Sequence, residues 1–272
     1  MDYRATSAAE PGIQMQFRVI DGLTVRFAQS EDRGAHALLL SPWPESLLAF
    51  EPVWARLAQQ VHLVAMDLPG FGHSQRRDAL LSPRAMGEFL IRAADAFELE
   101  HPQVLGPDIG TAASLFAAAL YPGRLRSLVV GSGGAAVPRQ LGSRLKEWVE
   151  SPDLERLRAA DPRQIVASTL ASLKRYALPD SIREDYLSSY EGDRFVESMR
   201  YVRTYPAELP ALRDADQAVQ VGRGEVDHGP LEQRPDPLGR IKVRRVCGQP
   251  ADPQPGGVLR SEVRQFRGQV DV

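Results

Sequence analysis

The sequence predicts an α/β fold, a mostly parallel sheet with helices on both faces and a helical insertion, on three observations. Ala37 to Leu40, Val61 to Met66, Val104-Leu105 and Leu128 to Val130 are short, nearly continuous apolar runs that end in Gly, Pro, Ser or Asp. Runs of this kind suit parallel strands covered on both faces. Helical patterns lie between them, which implies right-handed crossovers. From about Ala135 to Tyr205 the strand pattern gives way to consecutive helices.

Composition narrows the class. At 272 residues the chain is long enough for one large α/β domain or a core with an insertion, and its 43% hydrophobic and 25% charged residues are ordinary for a globular protein. A formal net charge of -2 gives no electrostatic footprint for nucleic acid or an anionic membrane. The expected partner is a small-molecule substrate, and the composition is silent on oligomeric state. Cys247 is the single cysteine, so no internal disulfide and no zinc spacing is expected, and neither a metal nor a cofactor is implied. Met1 to Gly12 lacks a signal-peptide pattern and no run approaches the ~18 apolar residues of a membrane span. The expectation is a cytoplasmic protein.

Taken in order, Leu23-Thr24-Val25-Arg26-Phe27 follows Asp21-Gly22 and alternates apolar with polar residues, the pattern of a hairpin strand. A helix is predicted from Ser82 as N-cap and Pro83 as first residue, with Met86, Phe89, Leu90, Ala93 and Phe97 on one face. Another starts just after Asp108, runs through Leu115, Phe116 and Ala119 to Tyr121, and is stopped by Pro122-Gly123. Within the helical run, Asp161-Pro162 opens one helix, and Phe195, Met199 and Val202 form an apolar stripe on another. The division is a first part of the core at 1–134, a helical cap at 135–205 and a remainder at 206–272. In that remainder, 14 of the 59 residues from Asp214 to Val272 are Gly or Pro, against 43 of 272 overall, an enrichment that interrupts regular structure. Arg240-Ile241-Lys242-Val243 is its one candidate strand, followed by Cys247-Gly248-Gln249.

Open parallel sheets build their sites at the C-terminal ends of their strands. Three loops there belong together: Ser41-Pro42-Trp43-Pro44-Glu45-Ser46, Asp67-Leu68-Pro69-Gly70-Phe71-Gly72-His73-Ser74, and Gly106-Pro107-Asp108-Ile109-Gly110. In the last, a strand must become a helix within a few residues, which leaves the middle side chain exposed on a strained turn. An aspartate at that point can also serve as an ordinary helix N-cap. Gly70, Gly72 and Ser74 read as turn and packing residues.

In order and spacing these loops resemble the α/β-hydrolase family, in particular the epoxide hydrolases and haloalkane dehalogenases that use an aspartate nucleophile. The resemblance covers residues 13–135 closely, and 135–205 matches the family's helical cap in type and place. It implies Asp108 as nucleophile, with the backbone N–H groups of Ile109 and Trp43 stabilising the oxyanion. A carboxylate suits displacement at a saturated carbon, giving an alkyl ester that an activated water then hydrolyses. Epoxides and alkyl halides are such substrates.

The chain departs from the family at two points in these loops. Ser41-Pro42 stands where relatives commonly have His-Gly, and Ile109 where dehalogenases often have a halide-holding Trp. Epoxide hydrolases donate from cap tyrosines to the epoxide oxygen; the candidates are Tyr176, Tyr186, Tyr190, Tyr201 and Tyr205. Trp43 reads either as a core aromatic or as a wall of the substrate pocket. Family chain order places the base after the nucleophile, which excludes His36, His62, His73 and His101 and leaves His228, beside Asp227 and Pro230 in a Gly-rich stretch. The competing expectation is a catalytically impaired relative, its sequence after about residue 213 resembling the product of a shifted reading frame.

Overall fold

A computed structural model describes residues 12–134, 143–151, 154–171, 177–214 and 242–245. β1 (Gln16–Ile20) and β2 (Leu23–Gln29) form an antiparallel hairpin whose turn residues, Asp21 and Gly22, have φ of 51° and 72°. Then come β3 (His36–Leu40), α1 (Glu51–Ala58), β4 (His62–Met66), α2 (Pro83–Ala96), β5 (Gln103–Pro107), α3 (Ile109–Leu120) and β6 (Ser127–Gly131). The helices that follow are α4 (Ser143–Glu150), α5 (Glu155–Arg158), α6 (Pro162–Leu170), α7 (Asp180–Ser189), α8 (Arg194–Arg203) and α9 (Tyr205–Asp214). The strand order is β1-β2-β4-β3-β5-β6-β7, where β7 (Lys242–Arg245) pairs parallel to β6.

From β4 onward every pairing is parallel. Leu40 lies opposite Met66, and Leu39 opposite Leu105, so β3, β4 and β5 end on one rim and deliver the three loops there. The apolar runs alternate between two cores, as strands covered on both faces must. Leu38, Leu40, Val64 and Met66 join Met86, Phe89 and Leu90 of α2 on one side. Ala37, Leu39, Leu63 and Ala65 join Trp54 of α1 and Tyr186, Phe195 and Met199 on the other. Each fully buried Leu or Phe stabilises the fold by roughly 1.5–3 kcal/mol.

The predicted helix starts hold. Ser82 Oγ accepts from Ala85 N–H with Pro83 at the first position, and Asp161 accepts from Arg163 N–H ahead of Pro162. Phe195, Met199 and Val202 are buried along α8. Two expectations change. The helical run continues past 205 through α9, because Tyr205 and Leu209 are buried in the same core as α2 and α3. The doubtful last strand exists at Lys242–Arg245, and its ladder gives β6 a second neighbour. Cys247-Gly248-Gln249 lies outside the described residues.

Candidate active site

Between Pro107 and Ile109 the chain turns sharply, and Asp108 takes φ 50° and ψ −119°. A non-glycine residue in that region costs on the order of 1–3 kcal/mol, so its surroundings must enforce it. They do so by crowding and by hydrogen bonds. A Cβ on Gly106 would lie 2.2 Å from Ser114 Oγ and 2.8 Å from the Gly110 carbonyl, and one on Gly110 would lie 3.1 Å from Leu40 Cβ. Asp108 N–H donates to the Gly131 carbonyl at 2.8 Å, and Thr111 Oγ1 donates to the Gly106 carbonyl at 3.0 Å.

Although Asp108 immediately precedes α3, its side chain makes no capping bond. Instead Trp43 N–H donates to Asp108 Oδ2 at 2.8 Å, and the carboxylate also accepts from Ile109 N–H. The three residues singled out in the sequence thus meet, across the ends of β3 and β5. Burial pushes the Asp108 carboxyl up to about 6, against the two backbone donors that pull it down. The residue as a whole is partly exposed.

The Trp43 side chain faces the helices. Its indole N–H donates to Ser198 Oγ at 2.8 Å and its ring stacks on Phe195, with centroids 5.4 Å apart. Both partners are on α8, so the loop after β3 holds Asp108 by its backbone and α8 by its side chain. Tyr201, also on α8, donates from its hydroxyl to the Ile109 carbonyl at 2.9 Å. Tyr190 donates to the Glu45 carbonyl and accepts from Gly72 N–H, each at 3.3 Å. Burial pushes both phenols above their usual range. Tyr186 and Tyr205 are buried, and Tyr176 lies outside the described residues.

Behind the loops sits a buried charge network that the sequence did not disclose. Arg26, only 4% exposed on β2, donates Nε to Asp67 Oδ2 at 2.7 Å and both terminal nitrogens to Asp185 on α7, at 2.6 and 2.9 Å. Asp67 also accepts from Leu47 N–H and His73 N–H, and Asp185 from Ser46 Oγ. Burial opposes the charge on Asp185, yet bonds from Arg26, His73 and Ser46 hold its carboxyl well below the usual range. Ser74 fits the turn role expected of it, accepting from Arg26 N–H and donating to the Asp67 carbonyl.

Glu45, two residues beyond Trp43, is the acidic neighbour of Asp108. Burial, then the Asp108 charge, pushes it up to about 7. Its carboxyl makes no hydrogen bond or ion pair among the described residues. The described histidines have other surroundings: His36 Nδ1 accepts from Glu100 N–H, His101 Nδ1 is 2.7 Å from the Gly123 carbonyl, and His73 Nε2 is 3.4 Å from Asp185. His62 lies opposite His36 at the far end of the strands. His228 lies outside the described residues.

Residues 38–226 match the family model of the alpha/beta hydrolase fold. The chain is similar to a 2-hydroxymuconate semialdehyde hydrolase of Pseudomonas sp. (strain CF600), 28% identical over 182 residues, which are 64% of this chain and 63% of that protein. The enzyme of the same description from Pseudomonas putida is 31% identical over 142 residues, 50% of this chain and 49% of that protein. The chain therefore spans between about half and just under two thirds of the length of these curated relatives. Among solved structures, the epoxide hydrolase CorEH without ligand superposes with a TM-score of 0.62 at 17% identity, over 71% of this chain and 73% of that one. Identity at that level speaks to the fold alone. No helix among the described residues is long and apolar enough to cross a membrane. With the strand order, the sharp turn at Asp108 and a family model over most of the chain in agreement, the chain belongs to the alpha/beta hydrolase fold family.

Proposed function

We propose that the chain is a hydrolase of the aspartate-nucleophile type, attacking a small apolar electrophile, an epoxide or an alkyl halide, through an ester on Asp108. The observation that carries this reading is the hydrogen bond from Trp43 N–H to Asp108 Oδ2 at 2.8 Å, on a strained backbone and with no capping bond. One carboxylate oxygen is held where an ester carbonyl oxygen would lie, and the other is left to displace the leaving group. When water attacks that ester, negative charge develops on the held oxygen, which already faces the N–H groups of Trp43 and Ile109. Helices α4–α8 act as the cap, and Phe195 of α8, stacked on Trp43 of the loop after β3, covers the substrate.

The nucleophile must be ionised, which sets a pH dependence. With a primary alkyl halide, whose departure needs no proton, the rate of adduct formation should rise with pH, pass half its maximum near pH 6 and then level. Stopped single-turnover mass spectrometry from pH 4.5 to 8.5 measures it. A flat profile over that range contradicts an Asp108 carboxyl raised by burial.

A second reading, a catalytically impaired relative, is favoured by the histidines: among the described residues none is a partner of Asp108. A properly placed base is worth roughly 10²–10⁴ in rate. The expected course is a burst of about one equivalent of adduct followed by little further product. Sustained turnover that vanishes on His228→Gln restores a complete triad. The nucleotide sequence from codon 205 onward tests the frame-shift form of this reading: two apolar strand patterns with Asp and Gly-His in another frame would support it, and their absence from all frames would overturn it.

A further inference from the structure

We infer that Glu45 is the proton donor of the ring-opening step, delivering its carboxyl proton to the epoxide oxygen as Asp108 attacks the ring carbon. The inference rests on Asp108 being the nucleophile and adds to that reading the group that receives the leaving oxygen. Three observations carry it. Glu45 is two residues from Trp43, a separation of at most about 7 Å between Cα atoms, and Trp43 N–H touches Asp108 Oδ2. Its carboxyl is half-buried and has no hydrogen bond or ion pair among the described residues, so it is free to meet a ligand. Two of the cap hydroxyls, those of Tyr201 and Tyr190, donate to the carbonyls of Ile109 and Glu45 itself.

The charges around Glu45 agree with an acid. The Asp108 charge acts on it from the turn after β5, and the Tyr190 hydroxyl donates to its carbonyl from the end of α7. Beyond Ser46 the remaining charges are paired: Asp67 and Asp185 with Arg26, and Arg194 with the Gly72 and Ser74 carbonyls. Burial disfavours the charged form of each carboxyl, and the Asp108 charge adds to that on Glu45. Asp108 carries the backbone donors that favour its anion, so the proton resides on Glu45.

In the step itself, the Asp108 carboxylate oxygen not held by Trp43 forms a bond to the ring carbon. The carbon–oxygen bond of the epoxide breaks, its electron pair passes to the ring oxygen, and that oxygen takes the proton of Glu45. The products are a hydroxyalkyl ester on Asp108 and a Glu45 carboxylate, which regains its proton from solvent.

The test compares wild-type protein with Glu45→Gln and Asp108→Asn, each incubated with an aryl epoxide and, separately, with a primary alkyl bromide, and followed by peptide mass spectrometry. Wild type should form the Asp108 ester from both, and its epoxide rate should fall above pH about 7 while its bromide rate does not. Glu45→Gln should lose on the order of 10²-fold with the epoxide and its high-pH fall, yet keep the bromide rate within a few-fold, which also shows that the variant is folded. Equal epoxide rates and pH profiles in wild type and Glu45→Gln overturn the role of Glu45 and leave Asp108 standing. Equal losses on both electrophiles overturn it too, since they mark a structural effect. Absence of an Asp108 adduct from either reagent in wild type overturns the nucleophile and this inference together.

Discussion

Asp108→Asn should abolish ester formation with every electrophile, by at least about 10³-fold, while leaving the protein as stable as wild type or more so. The two halves of this expectation have one cause. Asn is nearly isosteric and can keep the bond from Trp43 N–H, but its amide cannot displace a leaving group. Because burial raises the carboxyl to about 6, the folded protein holds this proton more tightly than the unfolded chain does. Stability from this group is therefore greatest at acid pH and falls as pH rises from about 4 through 6, so removing the charge relieves a cost at neutral pH. Rapid-quench mass spectrometry measures the first half and thermal unfolding at pH 7 the second. Loss of reactivity with a large fall in Tm would mark Asp108 as a structural residue instead.

Arg26→Met should be the most damaging single change to the fold. Asp67 and Asp185 share this guanidinium within hydrogen-bond distance, and both are largely withdrawn from water. Breaking a buried pair by removing one partner costs about 3–5 kcal/mol, here with two anions left, which for a chain of this size is a drop in Tm of roughly 10 °C. Replacing all three together, Arg26→Met with Asp67→Asn and Asp185→Asn, should recover much of that loss. The Asp185 carboxyl is lowered in the folded state, so its contribution is present above the ordinary carboxylate range and disappears as pH falls below it. Circular dichroism melts of wild type, Arg26→Met and the triple variant decide the matter; a neutral Arg26→Met would mean that α7 is held by apolar contacts alone.

The fold was legible because its signals are local. A run such as Leu38-Leu39-Leu40 buries alternate residues in two cores without knowing its partners, and Ser82-Pro83 starts a helix by groups three residues apart. The turn at Asp108 was legible for the same reason, as small residues on both sides are what its geometry demands. Arg26 was not. Alternation in β2 assigned it to solvent, whereas it is buried against partners 41 and 159 residues away, a relation that periodicity does not carry. Met15, Phe17 and Val19 show the opposite: they are apolar and exposed around the edge strand β1, where the sheet has no further neighbour among the described residues to cover them. The roles of the tyrosines depend on which backbone carbonyl each hydroxyl meets, and Glu45 stood within a quoted loop without a role because its proximity to Asp108 is a tertiary fact.

Whether Asp108 is the nucleophile is decided by the fate of its carboxylate during a single turnover in ¹⁸O-labelled water with an aryl epoxide. An aspartyl ester yields either an epoxide adduct on the peptide carrying Asp108 or, where the ester has been hydrolysed, ¹⁸O in the Asp108 carboxylate with unlabelled oxygen in the first diol formed. Diol that carries the label while Asp108 carries neither adduct nor ¹⁸O would mean that water attacks the substrate directly, and would contradict that role of Asp108.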